Sequence, residues 1–375
     1  MDGVLNGRTA ARPLGLARIG IALAILLELR GSADALFRLA DPRFIRTPYV
    51  DWAPSVTEPL AWVLTLLWAV AGVSFLVGWW TRPAGSVLTA TLASVLFLDQ
   101  QLYSNHLYLM TLAAALLTVA DSGAALSLDA MRHGTRASVP AWAPWLLKVQ
   151  VSIVYAFAAL SKVNLTFLSG SVVASYLRRD GLLAVPAEWR AVEPMMVLAI
   201  LAICLEAFLA IGLWLPRWRP AAFVAGLALH IGITGWLSPT FAIGIFSLLM
   251  LSLFLLFLEV EPKRVVVWDD SCGFCAGWVR WFRRLDWLHA LEFVPASSLP
   301  RDDLPVSADE AAVALQLVTP RRVRAGFGAV TGVAELLPVS FLWAPLLRLA
   351  PIRWLGERTY ARVAARRLCA LPAAS

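Results

Sequence analysis

The chain has 375 residues, 59% of them hydrophobic and only 15% charged, and its mean hydropathy is +0.71. A soluble domain of this size needs a more charged surface, so the composition excludes an ordinary water-soluble protein and indicates an integral membrane protein embedded in the lipid bilayer. The formal net charge of +7 is therefore read as loop arginine that sets topology, not as a nucleic-acid surface.

Taken in chain order, about eight apolar runs reach or approach the roughly 20 helical residues that cross a hydrocarbon core. The first, Leu14 to Phe37, carries Glu28 and Arg30 and follows Arg8 and Arg12. It lacks a small-residue cleavage site and reads as a retained span. A polar loop through Asp41-Pro42 leads to a second run, Pro59 to Trp80, and a third, Ala84 to Tyr103. The fourth starts at Asn105-His106 and ends near Asp121; the fifth covers Trp142 to Val163. A sixth (Glu193 to Leu215), a seventh (Pro220 to Leu237) and an eighth (Pro239 to Leu258) complete an α-helical transmembrane bundle. Pro262-Lys263-Arg264 then marks the boundary between a membrane domain, residues 1–260, and a small α/β domain, residues 261–375.

Arginine and lysine in alternate loops set the orientation. One set holds Arg8, Arg12, Arg82, Arg132, Arg136, Arg217, Arg219, Lys263 and Arg264; the other holds Arg38, Arg43, Arg46, Arg178, Arg179 and Arg190. The bias puts both termini in the cytoplasm of a multi-pass protein of bacterial-inner-membrane type. The basic tail around Arg362, Arg366 and Arg367 reads as a solvated or headgroup-facing helix side.

A polar side chain inside a span is costly, so each is a candidate for function. Glu206 in the sixth run and His230 in the seventh lie about equally far from the turn at Arg217. An antiparallel pair brings them to one depth. A Glu206–His230 contact there would relay a proton, fix an imidazole tautomer, or simply hold two helices together. Lys162 ends the fifth run, and either reaches into the headgroups or, partly desolvated, serves as a base. On this topology Lys162 shares the outer side with Asn105, His106, Asp99, Gln100 and Gln101, and these groups are expected to line one outward-facing cavity. Asn105, His106 and Glu206 are the candidates for holding a cofactor.

Behind the membrane runs, Val265-Val266-Val267-Trp268 reads as a short buried strand. Asp269-Asp270-Ser271 ends it, and from Ala276 the period changes. Trp278, Trp281, Phe282 and Leu285 fall on one helical face, with Arg280, Arg283 and Arg284 elsewhere. Strand, turn and helix put Cys272 and Cys275 at a helix N-terminus, where unpaired N–H groups and the helix dipole favour a thiolate. Such a pair is suited to thiol–disulfide exchange, with Cys272, nearer the helix start and more exposed, as nucleophile and Cys275 as resolving thiol. Asp269 either accepts a proton during resolution or caps the helix. Asp270 adds a carboxylate that would raise the thiol pKa and oppose the dipole. Cys204 and Cys369 read as inert packing residues. With no second Cys-x-x-Cys and no neighbouring His, no metal is expected.

Two successions of residues point to known families. The first comprises Asn105-His106-Leu107-Tyr108-Leu109, Gln150 through Tyr155 leading to Ala159-Leu160-Ser161-Lys162, Phe167-Leu168-Ser169-Gly170, Leu205-Glu206, His230 and Ile243-Gly244-Ile245-Phe246. In that order, over about residues 10 to 260, the membrane part resembles the vitamin-K-dependent γ-carboxylase-like, or HTTM, family. The resemblance implies a reduced, vitamin-K-like quinone as cofactor, Lys162 as the base that deprotonates it, and His230 as an assisting group. The second succession is Asp269-x-x-Cys272-x-x-Cys275 with Trp268 before it, then Leu291-Glu292-Phe293-Val294-Pro295 as a second strand and Ala312 to Val318 as a third. Gly326-Phe327-Gly328-Ala329 and a final helix with Tyr360 follow. Over about 100 residues this resembles the DCC family of thiol–disulfide oxidoreductases, and implies a thioredoxin-like α/β fold with redox-active cysteines.

Three functions compete. The first is an integral-membrane thiol–disulfide oxidoreductase whose Cys272/Cys275 dithiol exchanges electrons with a quinone or with a thiol protein. The second is a carboxylase-like membrane enzyme using Lys162 as base. The third is a non-catalytic membrane anchor with a partner-binding tail.

Overall fold

Leu14, Ala17, Ile21, Ala24 and Ile25 recur at helical spacing, and all are buried in α1 (Ala11–Ala40). The computed structural model describes residues 7–176, 192–237, 241–258, 264–301, 303–320 and 322–365. It divides into two compact units, Met1–Leu258 and Glu259–Ser375. In the first, strand β1 (Arg8–Ala10) precedes α1 and pairs antiparallel with β2 (Ser138–Pro140), Thr9 opposite Val139.

Among the described residues seven helices of 14 residues or more follow α1 in this unit: α2 (Glu58–Val77), α3 (Thr81–Leu98), α4 (Asn105–Val119), α5 (Trp142–Ser161), α6 (Val192–Gly212), α7 (Arg219–Gly232) and α8 (Phe241–Phe254). Each apolar run of the sequence is therefore helical, but four of the helices, α2, α3, α5 and α6, are both long and apolar enough to cross a membrane. Helix α2 shows how such a helix is built. Thr57 accepts a hydrogen bond from the Leu60 amide at its start, Pro59 occupies the first turn, and Gly78 ends it in the left-handed conformation at φ 69°. Ala61, Leu64, Trp68, Ala71 and Phe75 face inward, and Trp68 Nε1 donates to the Ile25 carbonyl of α1 at 3.0 Å. The opposite stripe of Trp62, Leu66, Val70 and Val73 is apolar yet exposed, as lipid-facing surface should be.

Some ends move from their expected places. The third run stops at Leu98 instead of Tyr103, because Asp99 adopts extended backbone and caps the short turn Gln100–Leu102. The seventh gives an α-helix only to Gly232, then a π-helical stretch, Ile233–Leu237. Arg178, Arg179, Arg190, Pro239, Pro262, Lys263, Arg366, Arg367 and Cys369 lie outside the described residues.

The second unit is a four-stranded mixed sheet in the order β4-β3-β5-β6, with β3 (Arg264–Trp268), β4 (Leu291–Pro295), β5 (Gln316–Thr319) and β6 (Arg322–Ala325). β3 lies parallel to β4, with Val266 opposite Phe293, and antiparallel to β5, with Val266 opposite Leu317. Because β3 is central, its alternate residues feed cores on both faces of the sheet. Val266 packs with Phe282, Leu317, Ala329 and Val333; Val267 packs with Val294, Ala296, Val306 and Ala311. Helix α9 (Gly273–Leu285) follows β3, α10 (Gly326–Ala334) follows β6, and α11 (Ala350–Ala365) closes the described chain. The strand expected over Ala312 to Val318 is shorter and later. Ser307 and Glu310 form a reciprocal capping box that starts a helix at Ala308–Val313, so Ala312 and Val313 are helical. The hairpin partner β6 is a strand that the sequence reading does not contain.

Candidate redox site and a polar centre among the helices

Asp269 ends the central strand and is buried. Its Oδ1 accepts from the Ser271 amide at 3.0 Å and from Ser271 Oγ at 2.6 Å, closing an Asx turn. The carboxylate thus holds the turn and leaves the helix cap to the next residues. Cys272 is the N-cap of α9, with φ −96° and ψ 111°, and its carbonyl accepts from the Ala276 amide at 3.0 Å. Cys275 sits one turn into the helix. The expected difference in exposure is reversed: Cys272 is 2% exposed and Cys275 6%. Cys272 is disulfide-bonded, and the bond reaches neither Cys275 nor Cys204.

Asp270 points away from the role expected for it. Its carboxylate accepts from the Ser297 amide at 3.0 Å and from Ser297 Oγ at 2.6 Å, which ties the β3 turn to the turn after β4. The Ser297 hydrogen bonds, led by the hydroxyl, hold the Asp270 carboxyl below the usual carboxylate range. The buried face of α9 is Cys275, Val279 and Phe282, while Trp278 and Trp281 are about half exposed. Tyr360 of α11 reaches back to the sheet, where its hydroxyl accepts from the Leu315 amide at 3.0 Å. Beside Cys275 the unit encloses a cavity of about 470 Å³ between α9, α10 and α11.

In the membrane unit the polar side chains pair differently from the sequence reading. Glu206 meets Lys162 in place of His230: Nζ donates to both carboxylate oxygens at 2.8 Å and to the Ala158 carbonyl at 3.0 Å. Helix α6 presents Glu206 to the end of α5. His230 is buried, with Nε2 2.7 Å from Tyr155 Oη and Nδ1 3.1 Å from Ser247 Oγ. Ser247 in turn lies 3.0 Å from Thr234 Oγ1 in the π-helical stretch. With the imidazole proton on Nδ1, Tyr155 donates to Nε2 and the ring donates to Ser247. Tyr155, Ser247 and Thr234 were missed as site residues; their signal is a hydroxyl in an apolar run, which sequence spacing alone cannot aim.

The outward cavity expected around Lys162, Asn105 and His106 resolves into separate contacts. His106 Nε2 lies 3.3 Å from Glu28 Oε2 of α1 and 3.3 Å from Ser104 Oγ. Asn105 Oδ1 accepts from the Tyr103 hydroxyl at 3.2 Å. Asp99 is buried and accepts from the Thr47 amide and hydroxyl and from the Gln101 amide, which anchors the loop after α1. Gln101 donates to the Ile45 carbonyl of the same loop. The Asp99 and Gln101 bonds join the loop after α1 to the turn after α3. Among the described residues no cluster of His, Cys, Asp or Glu has the makings of a metal site.

Comparison with known proteins divides the chain where the fold does. Residues 6–261 match the model of the HTTM domain, and residues 266–371 match that of the DCC1-like thiol-disulfide oxidoreductase. No solved structure matches the chain.

Proposed function

From a chain that belongs to the HTTM-domain family and continues into a DCC1-like thiol–disulfide oxidoreductase domain, we propose a membrane-embedded oxidoreductase whose working groups are Cys272 and Cys275. The observation that carries the reading is the placement of both cysteines at the start of α9, directly behind the central strand of the oxidoreductase domain. There the positive end of the helix dipole stabilises a thiolate. Cys272 and Cys275 exchange electrons with the thiols or disulfide of a protein partner on one side and with a lipid-soluble quinone on the other. About eight helices cross the bilayer, with both termini in the cytoplasm, in a membrane of bacterial inner type. Asp269 acts as a positioning residue for the turn that carries Cys272.

Serine substitution tests this. Cys272→Ser and Cys275→Ser are each expected to lower turnover of a soluble disulfide substrate by roughly two orders of magnitude or more. Full turnover in either variant would sink the dithiol reading. Peptide mapping of the alkylated wild type under non-reducing conditions identifies the sulfur that Cys272 holds at rest.

A second reading is favoured by one observation, the buried Lys162–Glu206 pair beside the Tyr155–His230–Ser247–Thr234 chain. It gives the membrane unit a proton-handling role in quinone chemistry, with Lys162 as base and His230 assisting, and with Asn105, His106 and Glu206 near the cofactor. For Lys162 to act as a base, its proton must first pass to Glu206, since all three ammonium donors are engaged. Unchanged quinone turnover in Lys162→Ala and His230→Phe would remove this reading; unchanged function in the cysteine variants as well would leave an anchor with a partner-binding tail.

A further inference from the structure

The cavity of about 470 Å³ beside Cys275 has a lining that narrows what can fill it. Trp278, Phe327, Ile352, Leu355 and Tyr360 are among its walls, and among the described residues none of its walls is charged. The Tyr360 hydroxyl is already engaged by the Leu315 amide. A peptide laid into such a space would leave its backbone groups without partners, at a cost of about 1–3 kcal/mol for each one buried. A flat, conjugated ring with an apolar tail needs only aromatic faces and aliphatic walls, and the volume falls in the range of small-molecule sites, about 300–1,000 Å³.

The surroundings of the cavity point to where such a ligand comes from. Trp278 and Leu355, both on its wall, are 45% and 59% exposed. Trp354 is exposed beside them in sequence, with the Arg358 guanidinium 3.8 Å over its ring. Exposed tryptophan and leucine interleaved with arginine is the chemistry of a bilayer–water interface. In the sequence, this unit follows directly on the membrane domain.

We propose that this cavity is the docking site of the lipid-soluble two-electron carrier, a quinone whose ring meets the dithiol at Cys275. The proposal rests on the redox reading above and gives its quinone a place in the C-terminal unit instead of among the helices. The step balances. A dithiol of the protein partner first reduces the disulfide that Cys272 holds at rest, and is itself oxidised to a disulfide; the S–H bonds of Cys272 and Cys275 then break and one S–S bond forms between them. The two electrons and two protons released convert the two quinone carbonyls to hydroquinone hydroxyls.

The test is photolabelling of the full chain, in vesicles of phosphatidylcholine and phosphatidylglycerol, with a short-chain benzoquinone carrying a diazirine on its tail. Label is expected on peptides covering 273–285 and 350–365. Leu355→Arg and Ile352→Arg, at partly exposed wall positions, should each lower that labelling roughly tenfold, with an unfolding midpoint near that of the wild type showing that the unit is still folded. Label on residues 142–232 of the wild type, or equal labelling of both variants, overturns the proposal. Because wild-type label position does not depend on turnover, failure of the dithiol reading is seen separately, as soluble-disulfide activity that survives Cys272→Ser.

Discussion

Lys162 commits its three ammonium donors to Ala158 and to both oxygens of Glu206, and that closure makes the pair fragile to single changes. Removing Glu206 leaves the partly buried Lys162 ammonium without its carboxylate, which costs less than the roughly 3–5 kcal/mol of a fully buried pair, whereas replacing both by apolar side chains of similar size is near neutral. Glu206→Gln is therefore expected to lower the thermal midpoint of the reconstituted protein, and Lys162→Met with Glu206→Met to restore most of it. Midpoints that fall as far in the double variant as in the single one would refute this. At Asp270 the prediction is one of pH. The Ser297 bonds keep its folded pKa below the unfolded value, ordinarily about 3.9. Its stabilisation is then fully present above that value and disappears as pH falls through the lower, folded one. Denaturation of wild type and Asp270→Asn should give different stabilities near pH 6 that converge in acid. A constant gap across the range would show that the carboxylate charge is not the cause.

Helix packing decides the next level. Gly170 has φ 77°, and a Cβ there would stand 2.6 Å from the Met195 carbonyl carbon and the Met196 amide nitrogen of α6. Backbone atoms cannot yield as a flexible side chain can, so Gly170→Ala should destabilise the protein by about 2 kcal/mol or more, read as a lower unfolding midpoint. A variant as stable as wild type would mean that α6 shifts freely. Ser307→Ala removes the cap of Ala308–Val313 and should cost about 1 kcal/mol. The same level separates what was legible in the sequence from what was not. The helical runs are readable because long apolar segments have one dominant solution, and the Val265–Trp268 strand because a run of β-branched residues before a turn does too. The pairing of Glu206 was not readable. Depth along two antiparallel helices follows from counting, but each residue turns the helix by about 100°, so depth alone cannot say whether Glu206 faces α5 or α7. Likewise Ala312 and Val313 suit a strand, and lose it to a capping box three residues earlier.

At the scale of the whole molecule, the two units carry separate cores, one formed by the helices and one on each face of the sheet. If the chain is cut at a protease site inserted between Leu258 and Arg264, soluble-disulfide turnover should survive within about twofold, because neither core is opened. Loss of that turnover on cutting would mean that the oxidoreductase unit needs the helices to stay folded. The helices set a requirement of their own through Arg18. This guanidinium is fully buried in α1, and donates to the Ser122 carbonyl at 2.7 Å and the Leu126 carbonyl at 2.5 Å. Those acceptors are made more than a hundred residues later in synthesis. Until they emerge, α1 holds a permanent cation with no protein partner, which a lipid environment penalises. The first helix therefore cannot settle when it is made. It must wait at the insertion machinery or at the water boundary for α4 and the turn behind it, so the order of assembly is written into a single arginine, and a helix made earlier than α4 finds its final seat no sooner.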